Sequence, residues 1–262
     1  MILVLLFTMG NPVIASSPPQ QSIVPLSNNG ISARFLKGGL CVSTPEISVT
    51  VGHFGFEGAI EQVLTLLPSS VTLAFDVYSK LEKKWVDRAK EQGNSIFLTA
   101  SSFKFIAGNA AGPTSLNLYT QESDIQEWQK YVGDSLKGFL IDRNVCQGTR
   151  VFAALASYIK KQNLLLFLSE PGENTQAICS DHPGKCSVGD IVIQLTDAGD
   201  LVEHKLEATR LLAEKQGYAN LIVFLSNSEM LTALKNWMIS LEEKKFNFVS
   251  IEKNSTKENR YG

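Results

Sequence analysis

ISVTVGHFGFEGAIEQVLTLLPSSVTLAF, residues 47–75, decides how the rest of this chain is read. Ile47 to Val51 is a short β-branched run of strand character. Gly52, Gly55 and Gly58 follow it, and a helical pattern then runs to Leu67 and stops at Pro68. A proline there cannot continue a helix. Val71 to Phe75 is a second apolar run. The unit is strand, tight glycine loop, helix, proline stop, strand.

The same rhythm extends along the chain. Apolar runs fall at 47–51, 71–77, 95–99, 137–141, 163–168, 190–195, 220–225 and 246–251. Most lack polar alternation, as strands buried on both faces of a parallel sheet do. Amphipathic stretches lie between them. Leu81, Trp85, Val86 and Ala89 share one face of 79–92. Leu201, Val202, Leu206 and Leu212 share one of 199–216, and Leu231, Leu234, Trp237, Met238 and Leu241 one of 228–244. Gly93 and Gly217 are stop signals. The pattern predicts an α/β fold of right-handed βα units. Seven or eight units can close into a barrel or stay an open sheet, and periodicity does not choose. Two longer irregular segments, 100–120 and 169–189, follow strands, where sites are built in either architecture.

Composition narrows the classes. Of 262 residues, 44% are hydrophobic and 19% charged, which suits a chain with a sizeable core. The net charge of −2, with no dense Lys/Arg block, disfavours nucleic acid as a partner. Residues 1–15 are expected to be a signal peptide, with an apolar run from Ile2 to Met9 and cleavage after Ala15, although a positively charged start is missing. The alternative is an uncleaved apolar tail. The apolar run is too short to span a bilayer, so no membrane span is expected. Residues 16–45 are read as linker, 46–252 as the folded domain and 253–262 as a polar tail. Of the four cysteines, Cys179 and Cys186 flank the polar loop SDHPGK and are the expected disulfide pair; two unpaired thiols are the alternative.

Several segments carry a family resemblance. They are LLPSSVTLAFDVY (66–78), WVDRAKEQGNSIFL (85–98), GPTSL (112–116) and TALKNWMISLEEKKFNFVSI (232–251). In order and spacing they resemble the divergent polysaccharide deacetylases, bacterial (β/α)-barrel proteins, from about Ile47 to Ile251. The resemblance implies a single barrel of about seven strands. It also implies metal-dependent removal of N- or O-acetyl groups from sugars. A divalent cation would polarise the carbonyl and acidify a water, and a carboxylate would take the proton.

The motifs that serve this chemistry are replaced. The family's aspartate pair after the first strand corresponds to Gly52-His53. The polar segment after the third strand becomes Thr99-Ala100-Ser101-Ser102, and the histidine motif after the fourth Leu140-Ile141-Asp142-Arg143-Asn144. The motif after the fifth is Leu168-Ser169-Glu170, and the late histidine falls at Leu225 or Ser226. What remains at strand ends is His53, Asp76, Asp142 and Glu170. This set is the candidate catalytic group, with His53 and Asp142 as candidate metal ligands. A divalent metal is expected only if these residues rebuild a site; otherwise no cofactor is expected. In the competing reading, Asp76 and Asp142 cap helices or turns, Asp142 pairs with Arg143, and His53 is a loop residue. His182 and His204 are expected on the surface. Ser101 and Ser169 have no base nearby in sequence and are read as loop residues.

Three functions follow. The first is a deacetylase-like barrel with a degenerate metal site that binds cell-envelope carbohydrate, in the periplasm or otherwise exported. The second is an active deacetylase with a rebuilt ligand set. The third is a Rossmann-like nucleotide binder, suggested by Gly52, Gly55 and Gly58, whose spacing is not that of the dinucleotide fingerprint.

Overall fold

The structure is a computed structural model that describes residues 32–36, 39–54, 56, 58–76, 83–99, 126–141, 150–172 and 175–255. The signal-peptide expectation lies outside them. Within the stretch read as linker, β1 (Ser32–Leu36) and β2 (Gly39–Ser43) pair as an antiparallel hairpin. Its register sets Ala33 opposite Val42 and Phe35 opposite Leu40, apolar against apolar, a pairing that the search for βα units passed over.

The main body begins at β3 (Glu46–Gly52) and continues through α1 (Ala59–Leu66), β4 (Thr72–Asp76), α2 (Lys83–Gln92) and β5 (Ile96–Thr99). A helix over 126–132, α3, leads into β6 (Leu136–Ile141). Then come α4 (Arg150–Lys161), β7 (Leu165–Leu168), α5 (Thr175–Ser180), β8 (Cys186–Val188) and β9 (Ile191–Ile193). The chain continues with α6 (Asp200–Gln216), β10 (Tyr218–Phe224), α7 (Ser228–Glu243), β11 (Asn247–Val249) and α8 (Ile251–Ser255). All eight expected strand runs are present. Residues 253–255, read as the start of a polar tail, are instead the end of α8.

The sheet order is β8-β7-β6-β5-β4-β3-β10-β9, every pair parallel, with β11 beside the lower part of β3. The two ends of this path, β8 and β9, are consecutive in the chain. Gly189 N–H donates to Leu168 O of β7 at 2.8 Å, and the next residue, Asp190, donates to Asn220 O of β10 at 2.9 Å. One short stretch of chain therefore bonds to both edges and closes a barrel of seven staves. The corner requires glycine. A Cβ on residue 189 would lie 2.4 Å from Ser169 O and 2.6 Å from Ile222 Cδ1. Sequential strand order leaves no switch point of the kind that binds dinucleotides, so the Rossmann-like alternative is not supported by the topology.

Alternation along the strands divides the core in two. Ile47, Val49, Val51, Leu73, Phe75, Ile96, Leu98, Phe139, Leu166, Leu221 and Val223 pack outward beneath the helices. Ala74, Phe97, Leu140, Leu165, Phe167, Val192, Ile222 and Phe224 fill the interior with Ile251. Burying one such phenylalanine or leucine contributes roughly 1.5–3 kcal/mol. The helices dock where expected, with adjustments. Buried residues of α7 are Met230, Leu231, Leu234, Met238 and Leu241, and its N-cap Asn227 Oδ1 accepts from Met230 N–H at 2.8 Å. On α6 the buried face is Val202, Leu206, Thr209 and Ala213. Small Thr209 and Ala213 let that helix close on the sheet, which turns Leu201 out to 48% exposure.

The two barrel ends differ. At the N-terminal end of the strands a polar network replaces hydrocarbon. Ser48 Oγ donates to Asn220 Oδ1 at 2.7 Å, and Asn254 Nδ2 donates to the same atom at 3.2 Å. Asn220 Nδ2 donates to Val188 O at 3.1 Å. Helix α8 thereby plugs that end. The opposite, C-terminal mouth carries the ends of the parallel strands, where (β/α) folds build sites.

Candidate functional site

Gly52, Asp76, Thr99, Ile141, Leu168, Ile193 and Phe224 terminate the barrel strands on one rim. The register fixes neighbours: Gly52 lies beside Ala74, and Asp76 beside Thr99. Beneath them Phe97, Phe167, Ile222 and Phe224, all buried, form an apolar floor.

The first strand turns sharply at its end. His53 has φ 47, the left-handed region that few residues other than glycine adopt. The turn sends its ring over the floor, edge-on to Phe224 with 5.0 Å between ring centres. Phe54 leaves in the other direction to meet Phe75 at 5.8 Å. His53 lies in the loop just past β3, half-buried, with its ring in aromatic contact with Phe224.

Gly52 has little space around it. A Cβ there would lie 3.3 Å from both Ala74 Cβ and Ala74 O, and 3.6 Å from Thr99 Cγ2. A side chain there would begin in tight contact with Ala74, which would have to give by a few tenths of an ångström. Thr99 is itself fixed, its Oγ1 donating to Phe75 O at 3.4 Å.

Asp76 is half-buried at the end of β4. Glu170, just past β7, accepts from Gln194 Nε2 at 3.3 Å. That bond crosses the seam between β7 and the segment leaving β9, so it ties the mouth together on its closing side. Ser169 is buried beside it, with its N–H donating to Ile141 O at 2.9 Å. The segment after β9 is braced by Asp197, only 7% exposed. Its Oδ2 accepts from Gln194 N–H at 2.8 Å and from Lys205 Nζ at 2.5 Å, and Lys205 also donates to Val192 O at 2.8 Å. The buried carboxylate is thus paired with the Lys205 ammonium and hydrogen-bonded by a backbone N–H.

Of the candidate set, His53, Asp76 and Glu170 therefore sit on the mouth, carried by β3, β4 and β7. Asp142 lies outside the described residues, as do Ala100, Ser101 and Ser102. Among the described residues, no three of His, Cys, Asp and Glu come together in a group that could hold a metal ion. Sequence reading passed over Gln194, whose role depends on barrel closure, and Phe224, which was read only as part of a strand.

Cys179 and Cys186 form the expected disulfide. His182 corrects the surface expectation: it is 5% exposed, and its ring nitrogens lie 3.0 Å from Ile178 O and 2.9 Å from Ala156 O. The disulfide folds the loop back so that the ring fills the space between α4 and α5. His204 is exposed, as expected.

Comparison with known proteins follows from this geometry. Residues 49–254 match the family profile described as "Divergent polysaccharide deacetylase". No curated protein sequence matches the chain. Among solved structures, an uncharacterized protein of Agrobacterium tumefaciens C58 aligns with TM-score 0.63 at 16% identity, over 85% of this chain and 92% of that one. A putative cellobiose-phosphate cleavage protein of Enterococcus faecalis V583 aligns with TM-score 0.58 at 12% identity, over 81% and 99%. A mutant of a CE4 family pseudoenzyme with restored enzymatic activity aligns with TM-score 0.50 at 10% identity, over 81% and 68%. At these identities the likeness is one of fold.

Proposed function

This chain belongs to the divergent polysaccharide deacetylase family, and we propose that its barrel mouth binds envelope glycan without running metal-dependent deacetylation. The observation that carries the reading is the end of β3. Where the family's pattern has two adjacent carboxylates, this chain has Gly52, hemmed in by Ala74 and Thr99, and His53, whose ring packs against Phe224. The described side chains do not fit a divalent cation. One imidazole resting on an aromatic edge and carboxylates on separate strands do not make the three convergent N/O donors that a catalytic site needs. No hydrolytic step is therefore derived through a metal.

What the mouth offers suits a sugar. Carboxylates and amides are matched to vicinal hydroxyls, because each presents two acceptor or donor atoms in a plane. Asp76, Glu170 and Gln194 supply these groups around an apolar floor, and His53 supplies a ring at its edge. The CE4 neighbour described as a pseudoenzyme mutant with restored enzymatic activity shows that the name pseudoenzyme has been given to a barrel of this fold.

Export is part of the same reading. The Cys179–Cys186 disulfide suits an oxidising compartment, in keeping with the apolar N-terminal run. Among the described residues no helix is long and apolar enough to cross a membrane.

The test uses the full chain with purified cell-wall glycan and acetylated chitooligosaccharides. Saturable binding that EDTA leaves unchanged, without acetate release, and that weakens at least tenfold in Asp76→Asn or His53→Ala, is expected. EDTA-sensitive acetate release would instead establish the rebuilt-site deacetylase, with Asp142 and His53 as its first candidates. Absence of any glycan binding would overturn the proposal.

A further inference from the structure

The barrel closes through its weakest stave. Strands β8 and β9 have three residues each, against seven in β3 and β10. Strand β8 runs straight into the Gly189 corner with no helix to pin it, whereas β9 is followed by α6, whose Lys205 Nζ donates to Val192 O at 2.8 Å. The seam they make at Gly189-Asp190 is held on one side by Gly189 N–H to Leu168 O. On the other, Asp190 N–H bonds to Asn220 O, and Asn220 N–H bonds back to Asp190 Oδ2 at 2.9 Å. The N-terminal end of this stave is where the covalent bond lies. Cys186 is the first residue of β8, and its partner Cys179 lies in α5. Between them, His182 is lodged against the carbonyls of Ala156 and Ile178, and Leu166 N–H donates to Lys185 O at 2.8 Å. The stave's other end leads to Gln194, which meets Glu170 across the mouth.

We propose that the Cys179–Cys186 bond is a thiol-controlled latch on the barrel seam. Oxidised, it ties α5, the His182 loop and β8 into one block, which the β8 ladder seats on β7. Reduction breaks the S–S bond and converts both sulfurs to thiols. A dithiol reductant supplies the two electrons and two protons and leaves as its own disulfide. The freed segment, residues 175–189, then opens as a unit and separates Gly189 from Leu168, while β9 stays bound to β10 and to Lys205 of α6. The two sulfurs are buried, with Cys179 5% and Cys186 8% exposed. The latch is therefore stable to a brief encounter with thiols and responds when the loop itself opens.

The inference goes beyond the glycan-binding reading and does not depend on it, because its readout is exchange of backbone amides. Closing a loop of this length by a disulfide lowers the entropy of the open segment enough to change its population roughly 50-fold. Hydrogen–deuterium exchange on the full chain is compared among wild type, the Cys179→Ser/Cys186→Ser double variant and wild type treated with a dithiol. Amides of 186–189 are expected to exchange roughly 50-fold faster in the double variant and in the reduced protein, while those of β3, β4, β9 and β10 stay within threefold. His182→Ala, with the disulfide intact, is expected to accelerate the same amides by a smaller factor. If the double variant does not fold, the reduced wild type carries the test. Acceleration spread evenly over all strands, or less than threefold at 186–189, would overturn the latch.

Discussion

Gly189→Ala is the sharpest perturbation that the barrel closure offers. The added methyl carbon would stand 2.4 Å from the Ser169 carbonyl oxygen and 2.6 Å from Ile222 Cδ1, where ordinary contact begins at 3.4 Å. The Ile222 methyl can rotate away. The Ser169 oxygen cannot, because it belongs to the backbone just past β7. Relief therefore requires the strands to separate by about an ångström at the point where Gly189 N–H reaches Leu168 O. Overpacking of this kind costs about 3 kcal/mol. For a domain of this size that corresponds to a melting point lower by roughly 6–12 °C. Differential scanning calorimetry on the purified variant measures it, with exposed Gln176→Ala on α5 as a control expected to melt within 1–2 °C of wild type, about the range for a surface site. A Gly189→Ala protein melting within 2 °C of wild type would refute the reasoning, since the close approach that defines the seam would then be absent.

Gly52→Asp, which returns a carboxylate to the end of β3, is expected to lower stability by about 2 kcal/mol, or roughly 4–8 °C. Its Cβ would press on Ala74, 3.3 Å from both Cβ and the carbonyl oxygen. Unchanged thermal denaturation would mean that the strand end has room for the residue. On α6, hydrogen bonding to the Arg210 guanidinium holds the Glu207 carboxyl below its usual 4.5, against partial burial. A depressed carboxylate contributes stability above its unfolded pKa and loses it as pH falls through the lower folded value. Because the side chain is 53% exposed, screening limits the effect. Glu207→Gln is expected to cost only about 0.3 kcal/mol at pH 7 and nothing at about pH 2. A urea-midpoint difference that persists at the acid pH would contradict the assignment.

Most of the architecture was legible because it rests on period. Apolar runs without alternation gave the parallel strands, and 3.6-residue spacing gave the face of α7 and half of that of α6, where Thr209 and Ala213 are buried and Leu201 is exposed. Strand β8 was not legible. Cys186, Ser187 and Val188 are too few to make a run, and they follow a loop whose shape is set by a disulfide and a buried histidine. Closure, and with it the Glu170–Gln194 contact, depends on that short strand, so it was invisible too. His182 was misread because polar loop composition suggests exposure, whereas the Cys179–Cys186 bond turns the ring inward. The rim positions of His53, Asp76 and Glu170 were legible, because these residues sit at ends of runs. The direction of His53 was not, since it follows from a left-handed backbone and from Phe224 on the neighbouring β10.

The account turns on whether this mouth still takes up a transition-metal ion. Titrating the demetallated full chain with zinc, manganese and nickel by isothermal calorimetry measures that directly. The expected trace is featureless at micromolar protein, the same for wild type and for His53→Ala. One equivalent of any of these ions bound in the wild type, and lost in His53→Ala or Asp142→Ala, would contradict the account.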